Sequence, residues 1–258
     1  MSKAYPPEVT FEVDGGVAVV TINRPDSKNA VDLATSHGLI QALDEVEARS
    51  DISVAIITGA GGSFCAGMDL KAFLRGENVR IPGRGFGGVT QSISSKPWIA
   101  AVEGYALAGG FEIALWCDLI VAAETARFGL PEVKRGLVPN AGGLLRLPRQ
   151  ASPRIAAELI LTGDIVPAAK IAAHGLINCV VEQGGALAAA QALAARITPN
   201  GPMALAACKR VMFESEDWPS TEMFDRQNVI TAPVFASADA KEGARAFGEK
   251  RAPEWQGK

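Results

Sequence analysis

The feature that most limits how this chain can fold is a set of short apolar runs, each ending in a turn rich in glycine or proline. VAVVTI (Val17 to Ile22) is β-branched and stops at NRPDSKNA. Val54 to Thr58 reads as a buried strand, and it runs into four glycines within the nine residues GAGGSFCAG. PWIAAV restarts the pattern, and LIVAA (Leu119 to Ala123) repeats it. Runs this short and β-rich, bounded by turn residues, predict strands. Between the first two, Leu33, Leu39, Ile40, Leu43 and Val46 fall at helical spacing within Val31 to Arg49. Strand, helix, strand, glycine loop predicts an α/β layered fold. The strands recur at no fixed period, which argues against a regular solenoid. Residues 71–96, with Ile81-Pro82-Gly83-Arg84-Gly85-Phe86-Gly87-Gly88 inside them, predict a mobile loop over a site or on the surface. From about Ser152 the text turns helical and alanine-rich, through ALAAAQALAARI to DAKEGARAFGEKRA. No polar linker marks that change, so one domain with a helical extension is expected.

Composition narrows the partners. A net charge of −3 over 258 residues, with no long run of one sign, points to neither nucleic acid nor an anionic membrane. Cys65, Cys117, Cys179 and Cys208 lack CxxC spacing, so neither a zinc site nor a disulfide framework is expected. There is no apolar N-terminal core of signal-peptide length and no stretch long enough to span a bilayer, so a soluble cytoplasmic protein is expected.

Candidate chemistry is found mostly by elimination. Gly83-x-Gly85-x-x-Gly88 matches the dinucleotide fingerprint in letters, but no strand precedes it. AIITGAGGSF is the better nucleotide candidate, yet phenylalanine and cysteine follow where a phosphate-approach glycine belongs; an NAD(P) dehydrogenase is the weaker reading. Only two histidines occur, and no G-x-S-x-G elbow. Carboxylates and backbone amides remain. Glu112 stands alone among apolar residues in GYALAGGFEIALWCD, where a charge is costly unless paired, neutralised or used. Gly109-Gly110 before a helix, and Gly67 before a helix start at Met68 to Ala72, would present free amide donors at two helix N-termini. Facing one another, the two loops would form an oxyanion hole. Glu112 could equally be a capping residue. Glu132, in FGLPEVKRGLVPNAGG, could be a surface glutamate beside Lys134 and Arg135.

At these residues the chain resembles the enoyl-CoA hydratase/isomerase (crotonase) family. NRPDSKNA, GSFCAGMDL, AVEGYALAGGFEIALWCD, FGLPEVKRGLVPNAGGLLRLPR and DAKEGARAFGEKRAPEW match five family segments in order. The text is similar to the bacterial enoyl-CoA hydratase and carnitinyl-CoA dehydratase branches. The resemblance implies a crotonase-like α/β spiral of ββα turns with a helical C-terminal region. It implies a single domain over residues 1–258, with the spiral over about 1–195 and a helical trimerisation region over about 196–258. It implies reversible syn addition of water to a 2-enoyl-CoA; carnitinyl-CoA dehydration, double-bond isomerisation and non-catalytic acyl-CoA binding are the alternatives. Glu112 and Glu132 match the family's catalytic glutamates, and Ala66 and Gly109 its oxyanion donors. Ala66, Gly67, Met68, Asp69, Leu70 and Gly109 would line the thioester site, with Lys28 and Lys250 near the ADP end of coenzyme A. Coenzyme A enters with the substrate, no metal or redox cofactor is implied, and the assembly is a homotrimer or a dimer of trimers. One departure is visible: Ala108 stands where many members have glycine.

Overall fold

A computed structural model describes residues 4–258. The chain opens with a hairpin, β1 (Val9–Asp14) and β2 (Val17–Ile22), followed by α1 (Leu33–Ala48) and β3 (Val54–Gly59). Asp32 caps α1 by accepting the Thr35 N–H at 2.9 Å. A short helix α2 (Leu70–Leu74) and a small hairpin, β4 (Arg80–Ile81) and β5 (Gly85–Phe86), precede β6 (Trp98–Val102). Then come β7 (Tyr105–Leu107), α3 (Gly109–Trp116), β8 (Leu119–Ala123), β9 (Arg127–Gly129) and a 3₁₀ turn at Pro131–Arg135. The rest is mainly helical: α4 (Gly143–Gln150), α5 (Pro153–Thr162), β10 (Val166–Pro167), α6 (Ala168–Ala172), β11 (Cys179–Val181) and α7 (Ala186–Ile197). Three further helices close the chain, α8 (Pro202–Glu214), α9 (Met223–Ala236) and α10 (Ala238–Glu249).

The main sheet has the order β1-β2-β3-β6-β8-β11, parallel from β2 onward. Parallel sheets require both faces covered, and strand alternation supplies two cores. Ala55, Ile57, Ala100, Val102 and Ala122 face the larger core; Val54, Ile56, Ile99, Ala101 and Val121 face the other way. That second face is closed by α7, whose Ala186, Ala190 and Ala194 recur every fourth residue and let the helix approach closely. After each of β2, β3, β6 and β8 the chain enters a second, shorter column of pairings. Val31 bridges Met68, Cys65 bridges Ala106, and β7 pairs with β9, all in parallel. Two columns of pairings stacked in this way make a spiral of unequal turns.

Residues 85–90 are not a mobile surface loop. Phe86, Val89 and Thr90 are 5% exposed or less, because closely spaced glycines let the segment pack against the core. At the C-terminal end, neither α8 nor α9 has a buried residue among the described residues. The extension is tied to the sheet by Lys209, whose ammonium meets Asp118 at 2.7 Å and the Lys96 carbonyl at 2.7 Å. No helix of the described residues is long and apolar enough to cross a membrane.

Candidate active site

The first loop reaches its position through Asn29 and Arg24. Asn29 is buried in the left-handed region (φ +57°), a conformation asparagine tolerates better than most residues. Its side chain accepts the Arg24 N–H at 2.8 Å and donates to the carbonyls of Ala60 and Ser63 at 2.8 and 2.6 Å. Arg24 in turn pairs with Asp69 at 2.9 Å and Asp32 at 3.0 Å. Asp69 therefore does not face a ligand. Its carboxylate is occupied by Arg24 and by capping α2 through the Lys71 and Ala72 N–H groups. Gly67 is likewise framework: its carbonyl accepts the Val31 N–H at 2.8 Å.

The structure corrects the donor expected in this loop. The Ala66 N–H is committed to the Lys28 carbonyl at 3.0 Å and is not free for a substrate oxygen. Two residues on, Met68 lines the cleft and its N–H has no acceptor among the described residues. The other donor expected from the sequence is the Gly109 N–H. Ala108 is the N-cap of α3, so Gly109 is the first helical residue, with its N–H unpaired and directed out of the N-terminus. The loops meet closely, since a Cβ on Gly110 would lie 2.1 Å from the Cys65 carbonyl oxygen and only glycine fits. Ala108 adopts φ +50°, ψ −127°, a region costly for a residue with a Cβ. The departure from glycine noted in the sequence thus falls at a strained position.

Glu112 is the fourth residue of α3 and 2% exposed, and it does not cap its own helix. Its Oε1 accepts the N–H groups of Ala141 (2.7 Å) and Gly143 (2.8 Å), at the N-terminus of α4. Burial pushes its pKa up, while those two amides and then Arg146 and Arg80 pull it back. Arg146 is half-buried, has no carboxylate bonded to it among the described residues, and donates to the carbonyls of Thr90 (2.6 Å) and Ala141 (3.5 Å). Glu132 lies in the 3₁₀ turn after Pro131, with a buried Oε2 that has no hydrogen-bond partner among the described residues. Its pKa is pushed up to about 7, first by burial and further by the charge of Glu112. Neither glutamate is a surface residue. Glu112, which accepts two amide N–H bonds, ionises first, and Glu132, whose Oε2 has no such donor among the described residues, keeps its proton to near neutrality.

Both glutamates, Ala66, Met68, Leu70 and Gly109 line one cleft of about 480 Å³. A larger cavity of about 870 Å³, between Trp116 and helices α8 and α9, holds neither glutamate. Lys28 is exposed with its ammonium 4.6 Å from the centre of the Tyr105 ring, and Lys250 sits at the C-terminus of α10; neither lines the cleft. Among the described residues no cluster of His, Cys, Asp or Glu could hold a metal. Sequence reasoning missed Asn29, Arg24, Arg146 and the Ala141–Gly143 amides. Asn in a turn was the one readable signal; the others act across contacts between segments distant in sequence.

Residues 12–258 match the family described as enoyl-CoA hydratase/isomerase. The chain is 43% identical to an enoyl-CoA hydratase of Mycobacterium tuberculosis, over 97% of each protein. It is 41% identical to a carnitinyl-CoA dehydratase of Salmonella typhi, over 95% of this chain and 97% of that one. Its fold superposes on a crystal structure of an enoyl-CoA hydratase from Mycobacterium tuberculosis with a TM-score of 0.96. That chain is 56% identical, with coverage of 98% and 100%.

Proposed function

The chain belongs to the enoyl-CoA hydratase/isomerase family, and from that premise we propose that it is a cytoplasmic hydro-lyase adding water reversibly and syn to a 2-enoyl-CoA. One observation carries the reading: two glutamates with raised pKa values share an apolar cleft with unpaired amide donors. The thioester oxygen accepts from the N–H groups of Met68 and Gly109, which stabilise the negative charge that gathers there during addition. A water lies between the carboxylates. Ionised Glu112 takes its proton as the oxygen bonds to the β-carbon, and Glu132 delivers its own proton to the α-carbon. The product is the 3-hydroxyacyl thioester, and the carboxylates have exchanged protonation states. Exchange with the next water resets them. Dehydration runs the same steps backwards.

Ala141, Gly143 and Arg146 favour an ionised Glu112, and the unpartnered Oε2 of Glu132 favours a protonated partner. Coenzyme A enters as part of the substrate, and the steps need no metal or redox cofactor. The assembly is a homotrimer or dimer of trimers. Exposed Met212, Phe213, Phe224, Val229 and Phe235 on the C-terminal helices support a shared apolar interface. Lys28, and Lys250 from a neighbouring subunit, hold the ADP end.

The test is loss of the conjugated enoyl absorbance of crotonyl-CoA in H₂¹⁸O. The expected product carries label at the β-carbon, and Glu112→Ala should abolish it. A shifted alkene without labelled alcohol makes the protein an isomerase, and binding without turnover makes it a carrier.

A further inference from the structure

Arginines in residues 71–96 fall into two kinds. Arg75 pairs with Glu77 at 2.7 Å, and Arg84 with Asp44 at 2.7 Å, both on the surface. Arg80, between them, lines the cleft and has no ion pair among the described residues. Its direction follows from the small hairpin, where Arg80 is the cross-strand partner of Phe86. Directly opposed residues of an antiparallel pair project from the same face. Phe86 projects onto the start of α3, since a Cβ on Gly109 would lie 2.5 Å from its ring. Arg80 therefore leaves the hairpin beside Phe86, on the wall of the cleft that Gly109 also lines, and its charge reaches Glu112. A second arginine, Arg135, lines the same cleft from the 3₁₀ turn; its one bond is a 3.4 Å contact to the Pro131 carbonyl. Apart from the two glutamates, the cleft wall contains no acidic residue among the described residues. The rest is largely apolar, with Phe73, Leu137, Val138 and Ile165.

Arg80 is exposed at the rim of the cleft that holds both glutamates, and a cation there meets the group that enters this cleft beyond the thioester, the acyl chain. Resting on the hydratase reading, we propose that this cleft selects 2-enoyl-CoA thioesters whose acyl chain ends in a carboxylate, bound by Arg80 with Arg135 as a second cation. A guanidinium and a carboxylate match in charge and geometry. The same pair of cations disfavours an acyl group bearing a quaternary ammonium. Such a group needs an anion or an aromatic cage; among the described lining residues the anions are the two glutamates that the chemistry uses, and the aromatics are Phe73 and Phe86, with the Phe86 ring packed on Gly109.

The test uses three acyl groups: 2-hexenoyl-CoA, its ω-carboxylate 2-hexenedioyl-CoA, and 4-trimethylammonio-2-butenoyl-CoA. A hydrogen-bonded charge pair of this kind corresponds to about a tenfold or greater preference in kcat/KM for the carboxylate over the neutral chain. The cationic chain should be the poorest. Arg80→Gln should collapse the anionic-to-neutral ratio toward one, and Arg80→Lys should retain part of it. Added salt should erode it. A wild-type preference for the neutral or cationic chain overturns the proposal. So does an Arg80→Gln enzyme that loses all three substrates equally, because Arg80 would then serve something the substrates share. Binding of hexanoyl-CoA against its saturated ω-carboxylate, by calorimetry, reads the same selectivity without turnover. Hydration lost with that binding preference intact overturns the catalytic reading alone; binding preference absent overturns this one.

Discussion

Gly143→Ala is a small perturbation aimed at one atom. A Cβ at this position would lie 3.0 Å from Glu112 Oε1, 3.2 Å from Glu112 Cγ and 3.2 Å from Leu130 Cδ1. Contacts this short force a shift of a few tenths of an ångström, and Leu130 is fully buried in the core, so the carboxylate is the part that gives way. A 1 Å misplacement of a reacting group can cost about 10²-fold in rate, so a shift of this size costs roughly 3- to 10-fold. The 2.8 Å bond from the Gly143 N–H must also lengthen. A hydrogen bond to a charge is worth about 1.5–3 kcal/mol, and losing part of it raises the Glu112 pKa further. Hydration of crotonyl-CoA, followed by enoyl absorbance across pH 5 to 9, should therefore show a lower kcat with little change in KM. The acid limb should move upward. Thermal unfolding should change by only a few degrees, since the added methyl sits at a helix start that tolerates a side chain. Unchanged kcat together with an unchanged acid limb would refute the claim that the Gly143 amide sets the position and charge of Glu112.

Glu132→Gln should lower kcat by about 10²–10⁴ with substrate binding retained, as single-turnover and calorimetric measurements would show. The same variant should gain stability relative to the parent as pH rises from about 5 to 8. The Glu132 pKa is raised to about 7, so the stabilising protonated form is full below the ordinary carboxylate range and lost as pH climbs through 7, whereas Gln titrates nowhere. Denaturant titrations at the two pH values should differ by roughly 2 kcal/mol after allowance for solvent screening, and equal midpoints would contradict the burial argument. Both hydration and dehydration run from the singly protonated pair of glutamates, so kcat/KM in the two directions should fall in parallel above about pH 7; opposite slopes would rule out shared protonation. Ala108→Gly should relieve backbone strain at φ +50°, partly offset by the entropy of glycine, for a net gain of about 1 kcal/mol or a few degrees in Tm.

Strands β2 and β8 lie where their β-branched and apolar runs predict, because runs of five or six such residues bounded by turns are too short for a helix and suit a pleated, covered surface. Glu112 was legible as a functional candidate for a related reason: nothing nearby in sequence could neutralise it. Its true partners, Ala141 and Gly143, are about thirty residues away and act through backbone N–H groups, which any residue but proline carries. That is why a cap on its own helix was a fair expectation and a wrong one. Ala66 misled for a similar reason. Only the return of the chain from Lys28 shows its amide already taken, and only a two-residue advance along the loop reaches the free one. Residues 85–90 read as a loop because glycine in a sequence signals freedom, whereas here it marks close approach of backbone to core.

The bridge between Cys65 and Ala106 acts as a ruler. The two proposed donors, Met68 and Gly109, each stand three residues beyond a member of that bridge, on adjacent coils of the spiral. The bridge is held by main-chain bonds alone, from the Cys65 N–H to the Tyr105 carbonyl at 2.8 Å and from the Leu107 N–H to the Cys65 carbonyl at 3.0 Å. The gap between donors is therefore inherited from the strand spacing of about 4.8 Å and not from any side chain. Substitutions can reshape the acyl wall without retuning the grip on the thioester oxygen. A one-residue insertion or deletion between 65 and 68, or between 106 and 109, would put the two coils out of step and leave the oxygen with a single donor.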